Sequence, residues 1–153
     1  MCDGNGNFPI GSLNTWEQKA VAAELERDTV VGWYHNPSHA TEHAIQVPYR
    51  KGGKWSTVQP DLVLFDRKAD GSVVASILDP HGDYLGDALD KLGGLADFAE
   101  KHAGAYVRVD SLAENRNGEM VKLDLTRAEV RDAVRHAAKA SDLFNGEHAG
   151  KYV

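Results

Sequence analysis

Gln59-Pro60-Asp61-Leu62-Val63-Leu64-Phe65 and Val73-Val74-Ala75-Ser76-Ile77-Leu78-Asp79-Pro80-His81-Gly82 read as the two strands of a buried antiparallel hairpin, turned at Lys68-Ala69-Asp70-Gly71. Each strand is apolar and β-branched along its length, and each carries an acidic or imidazole side chain at one end. Side chains alternate faces along a strand, so Asp79 and His81 share one face, and pairing in the hairpin brings Asp61 towards them. The hairpin therefore predicts both the middle of a sheet and a three-residue candidate site.

Working outward, Asn14 and Glu17 have the spacing of a capping box, and Leu13, Trp16, Ala20 and Ala23 recur as a buried helical stripe, predicting a helix to about Asp28. Thr29 to Tyr34 reads as a strand stopped by Asn36-Pro37-Ser38. Ala44 to Tyr49 reads as a second strand, with Lys51-Gly52-Gly53-Lys54 as a hairpin loop leading to Trp55. Beyond the central hairpin, Leu85, Ala88, Leu89, Leu92, Leu95, Ala96 and Ala99 predict an amphipathic helix over Tyr84 to Lys101. Ala105 to Val109 and Met120 to Leu125 read as strands joined across Asn115-Arg116-Asn117-Gly118. Thr126 and Glu129 have the spacing of another capping box, opening a helix through Val130, Ala133, Val134 and Ala137. This order of elements predicts an α+β domain, a mixed sheet flanked by helices, over residues 13–153, with residues 1–12 as a flexible lead-in.

The composition narrows the function. A chain of 153 residues with 42% apolar and 26% charged residues is an ordinary globular domain, and no transmembrane run or secretory signal is visible. Cys2 stands alone, which excludes an internal disulfide and thiolate metal sites and is expected of a cytoplasmic protein. A net charge of −6 argues against recognition of nucleic acid by whole-surface attraction. His35, His39 and His43 recur every four residues, but a helix aligning them would have to pass Pro37, which disfavours a zinc site there.

The two acidic strand ends and the element order resemble the PD-(D/E)XK nuclease superfamily, with Pro60-Asp61 matching one motif and Asp79-Pro80-His81 the other, except that His81 stands where lysine is usual. More narrowly, Asn14-Thr15-Trp16-Glu17, Trp33-Tyr34-His35-Asn36-Pro37, Asp79-Pro80-His81-Gly82, Asp87 to Ala96 and Val130-Arg131 resemble the C-terminal nuclease region of bacterial DEAD/DEAH-helicase proteins of the type III restriction R-subunit kind. The likeness runs over nearly the whole chain, although no Walker-type phosphate loop is present.

The resemblance implies a restriction-endonuclease-like αβββαβ core and Mg²⁺-dependent hydrolysis of DNA phosphodiesters, with Mn²⁺ as a substitute, beside a helicase or translocase in restriction and without a membrane partner. Asp61 and Asp79 are the implied metal ligands, with Glu17 or Glu24 from the first helix as a third. His81 and Lys91 are expected to share the lysine's role, and Tyr34, His35 and Asn36 to contact the DNA backbone. A homodimer that cuts both strands is compatible with it. Duller roles compete: Pro60-Asp61 as a strand-entry turn, Asp79 as a helix cap, Glu17 as the partner of Asn14, Lys91 in an ion pair with Asp87, and Trp16, Trp33 and Trp55 as core or rim packing. A catalytically degenerate domain that binds DNA or a partner is the alternative.

Overall fold

Asn14 starts the first helix as its spacing predicts: its side-chain oxygen accepts from the amides of Trp16 and Glu17, both at 2.9 Å, and its own amide donates to Glu17 Oε2 at 2.8 Å. The computed structural model describes residues 8–80 and 86–152. Within the expected lead-in, Phe8 packs against Trp33 and His35, and Ile10–Ser12 forms a single 3-10 turn. Helix α1 (Thr15–Leu25) ends three residues before the expected stop, and it buries two glutamates, Glu17 and Glu24, beside Ala20 and Val21.

Strands β1 (Val30–His35), β2 (Val47–Lys51), β3 (Lys54–Val58), β4 (Leu62–Arg67) and β5 (Val73–Pro80) precede helix α2 (Ala88–Lys101). Then come β6 (Tyr106–Glu114), β7 (Met120–Asp124), α3 (Ala128–His136), α4 (Ala140–Phe144) and β8 (Gly150–Lys151). The described strands form a six-stranded sheet in the order β1-β4-β5-β6-β7-β8 and a separate two-stranded sheet, β2-β3. Neighbours in the large sheet are antiparallel except β5 and β6, which run parallel and are joined through α2. The molecule is thus an α+β domain around a mixed sheet. The central hairpin forms as read, with Leu62 opposite Leu78 and Gly71 at φ 84°, a left-handed turn conformation that favours glycine.

The sheet separates two apolar layers. Leu62, Leu64, Leu78 and Leu112 point to the α1 side, where they meet Leu13, Ala20 and Val21. Ile77, Val109, Ala113, Val121 and Leu123 point to the other side, where α2, the β2-β3 hairpin, α3 and α4 supply Leu92, Leu95, Tyr49, Val130 and Phe144. From Ser76 in β5 and Arg108 in β6 onward, the odd-numbered residues therefore face α2 and the even-numbered ones face α1.

The Gly52-Gly53 turn, with both residues at positive φ, closes β2 onto β3 as expected, but this hairpin stands off the large sheet and lies on α2. The contact is made at Gly94, where an added Cβ would lie 2.5 Å from Tyr49 Cβ and 3.2 Å from the Pro48 carbonyl oxygen. Gly94→Ala is expected to lose about 1–3 kcal/mol through overpacking and to loosen the hairpin. Urea unfolding with near-ultraviolet circular dichroism reads both effects. An unchanged midpoint would show that the hairpin yields at no cost.

At the C-terminal end, the expected capping box does not form. Thr126 donates its hydroxyl to Asp124 Oδ1, Glu129 pairs with Arg127, and α3 starts at Ala128 with no side-chain cap. The helix takes Arg127 rather than Thr126 as its N-cap, one residue out of register for the box, and Thr126 instead donates its amide and hydroxyl to Asp124. The Ala105 strand also runs further than read, through Asp110 and Ser111 to Glu114, because those polar residues sit inside the sheet.

Candidate functional site

The antiparallel register of β4 and β5 determines the placement of the two aspartates. Continuing the pairing of Leu62 with Leu78 by one residue sets Asp61 opposite Asp79, and the Asn36 amide, donating to the Asp61 carbonyl at 2.8 Å, carries the β1-β4 ladder to the same point. Directly opposed residues have Cβ atoms about 4.5–5.5 Å apart. Both side chains belong to the α2 face, with Val63 and Ile77. Asp79 is buried at 4% exposure and Asp61 is half-buried. On the far side of Asp79 the parallel strand β6 places Ser111, fully buried, whose hydroxyl has no hydrogen-bond partner.

Two adjacent carboxylates with an unsatisfied buried hydroxyl beside them fit a hard divalent cation that keeps part of its water shell. Among the described residues no three His, Cys, Asp or Glu side chains gather into a metal-binding group. His81 lies outside the described residues. Ser111 was not singled out in the sequence, although a serine inside an apolar strand is the kind of signal that marks such a position.

The remaining candidates fall elsewhere. Glu17 closes the capping box, and its other oxygen lies 3.6 Å from His35 Nε2 on the α1 face, at the Asp61 end of the sheet but behind it. Glu24 lies two helical turns further along, against Arg108 on β6. Neither glutamate joins Asp61 and Asp79 on the α2 face. Tyr34 donates its hydroxyl to the His43 carbonyl at 3.0 Å, and Asn36 uses its whole amide on the backbone of Ile45, so both pin the loop that follows β1. His35 packs under Phe8.

Lys91 is on the correct side of the sheet, but its ammonium pairs with Asp87 at 3.2 Å. Asp87 also accepts from Lys51 at 3.1 Å and from the Tyr49 hydroxyl at 3.2 Å. Burial pushes the Asp87 carboxyl up, but the two lysines outweigh it and hold the group down at about 2. Asp87 thereby ties the start of α2 to the β2-β3 hairpin.

The α1 face holds a second polar group. Glu24, 3% exposed, accepts from Arg108 at 2.9 and 2.7 Å, from Arg27 at 2.5 Å and from the Tyr152 hydroxyl at 2.8 Å. Burial raises its carboxyl, and the hydrogen bonds of Arg108 and Arg27 more than reverse this, leaving it below 4.5. Next to it Asp110 is 1% exposed, with Arg108 and Lys122 each 3.8 Å away and neither oxygen hydrogen-bonded. Burial raises Asp110 from 3.8 to about 6, against the pull of Lys122 and Arg108. A carboxyl raised on folding is neutral in the native state where the unfolded chain has already ionised, so its contribution weakens stability as pH climbs from about 4 to 6. Asp110→Asn is therefore expected to exceed the wild type by about 1–3 kcal/mol at pH 8 and to match it near pH 4, measured by urea unfolding at both. A constant difference across that range would remove Asp110 as the cause.

The fold and the opposed aspartates define an α+β domain with a mixed sheet and a carboxylate pair at the ends of adjacent strands. The chain belongs to the YagJ family, whose family model matches residues 1–153. It is 40% identical over 152 residues to Protein YagJ of Escherichia coli (strain K12), in an alignment covering 99% of this chain and 61% of that protein. The chain thus spans about 61% of the length of that curated relative. No solved structure matches the chain.

Proposed function

We propose that this domain is a metal-dependent DNA endonuclease of the PD-(D/E)XK type. The observation that carries the reading is the register that sets Asp61 opposite Asp79 at the ends of β4 and β5. The fold is compatible with this reading: with the β2-β3 hairpin set aside, the elements run α1-β1-β4-β5-α2-β6 along the chain, the order of element types that an αβββαβ core would have. The domain would act in the cytoplasm, in restriction or related defence beside a helicase, alone or as a homodimer.

In this reading Asp61 and Asp79 hold Mg²⁺, or Mn²⁺ in its place, through hard carboxylate oxygens. When bound, the ion supplies a water acidic enough to attack phosphorus and positive charge for the phosphoryl oxygens. The chain's own side chains do the rest. Asp79, buried on β5 between β4 and β6, and Asp61, more open, would be the residues that hold the ion. The Ser111 hydroxyl takes a hydrogen bond from water at the pair. His81, two residues after Asp79, accepts the proton of the attacking water when its imidazole is neutral. Lys91 contributes charge from α2, buffered by Asp87.

A second reading, a degenerate domain that binds DNA without cutting it, is favoured by one observation: Lys91, the described cation on α2 closest in role to the usual lysine, is already paired with Asp87. The deciding assay is cleavage of supercoiled plasmid by the folded protein with Mg²⁺, with Mn²⁺ and with EDTA. Metal-dependent nicking supports the nuclease. No nicking under any condition, with DNA still bound, supports the second reading.

A further inference from the structure

Trp55 is 67% exposed, more than any other large apolar side chain among the described residues. A tryptophan left in water forgoes a large burial gain, so its position calls for a partner that covers it. It is also held in place. Its cross-strand neighbour Arg50 lays the guanidinium 4.5 Å from the centre of the ring while donating to the Gly53 carbonyl, so the ring is presented on a rigid two-stranded platform. That platform is clamped to α2 by the Gly94-Tyr49 contact and by the hydrogen bonds of Tyr49 and Lys51 to Asp87. Asp87 belongs to the same short connection that leaves β5 after Asp79.

The charge around the ring is selective. Val47 to Val58 carries Arg50, Lys51 and Lys54 and no carboxylate, in a chain of net charge −6. Asp87 neutralises Lys51, leaving Arg50 across from Trp55 on its own face and Lys54, next to Trp55 in the strand, at the edge of the opposite face. Two grooves, of about 350 and 180 Å³, share Trp55, Pro48 and Gly94 as walls. Asp97, tied to Arg135 at 3.1 Å, lines both grooves, and Asp90 lines the larger. Carboxylates on the groove wall repel phosphate and accept from amino groups. A phosphodiester strand would therefore run along the basic edge of the hairpin and turn its bases towards the ring and groove.

We propose that the β2-β3 hairpin is a wing that grips an unpaired nucleic-acid strand, with Trp55 stacking on a base and Arg50 and Lys54 contacting phosphates. The proposal rests on the nuclease reading for its purpose, since the wing is anchored through Asp87 to the segment that follows Asp79. Its chemistry of recognition is independent of cleavage. Base-aromatic stacking tolerates any sequence, because every base offers a π-face.

The test is fluorescence-anisotropy titration of a labelled single-stranded thymidine oligonucleotide in EDTA, where no metal-dependent cutting occurs. Trp55→Ala, an exposed truncation that leaves the core untouched, is expected to bind about tenfold more weakly, and Trp55→Phe within about threefold of wild type. Arg50→Ala and Lys54→Ala are each expected to flatten the dependence of log affinity on log salt by about 0.7, the share of one phosphate contact on a single strand. Unchanged affinity in Trp55→Ala, or no binding by the wild type, overturns the wing. Trp55-dependent binding by a protein that cuts no plasmid supports the wing and removes the nuclease. Asp79-dependent cutting with Trp55-independent binding does the reverse.

Discussion

Asp79→Ala is expected to abolish plasmid cleavage, lowering the rate by about 10³-fold or more, while the protein stays folded. The magnitude follows from the role proposed for the ion, which is worth several kcal/mol at the transition state, each 1.36 kcal/mol being tenfold in rate. Losing one of the two carboxylates that the register sets opposite each other breaks the ligand pair it provides on that face among the described residues. Asp61→Ala should behave alike, because neither side chain has a described acidic neighbour to replace it. Asp79→Asn separates charge from shape. It keeps the size of a buried residue while removing its charge, and the metal-free protein is expected to stay folded. The thermal stabilisation given by Mg²⁺ should disappear in the same variant, since a ligand raises the melting temperature only through a site it occupies in the native state. Full cleavage by Asp79→Ala would remove the pair from the chemistry altogether.

What the sequence made legible was local. The Asn14-Glu17 spacing, the glycine turns and the periodicity of α2 each depend on residues a few positions apart; the first two formed where the spacing puts them, while α2 ends at Lys101 as read but starts at Ala88, with Gly86 and Asp87 in a turn and the expected start at Tyr84 outside the described residues. The central hairpin was legible for the same reason, because a tight turn at Gly71 fixes the register of the strands on either side. Contacts between distant segments were not. Glu24 meets Arg108 from 84 positions away and Tyr152 from 128, so nothing near Glu24 distinguished a buried ion pair from a metal ligand. The β2-β3 hairpin could be read as strands but not as a separate sheet, because the close approach that seats it on α2 depends on a glycine at position 94. Residue type alone reads Trp55 as core or rim packing. Only its position on the outer side of that hairpin exposes it.

Arg108→Met is expected to be the most destabilising single change on the α1 face, at about 3–5 kcal/mol, because it leaves Glu24 buried with its strongest partner gone. Arg108 donates through both terminal nitrogens to both oxygens of Glu24, a bidentate arrangement that Arg27, 40% exposed, cannot reproduce. The cost should also depend on pH, and its sign is fixed. Glu24 is depressed below 4.5 in the native protein, so its contribution is complete above that value and is lost as pH falls through the lowered one. Urea unfolding should therefore separate wild type from Arg108→Met widely at pH 7 and much less at pH 3. Replacing the pair together, Arg108→Met with Glu24→Leu, should recover most of the loss, because an apolar pair of similar volume avoids the desolvation of both charges. If the double variant is as weak as the single one, Arg108 is needed for Asp110 as well, and the two carboxylates share one guanidinium. Cleavage by the double variant should match wild type, since this cluster lies across the sheet from Asp61 and Asp79.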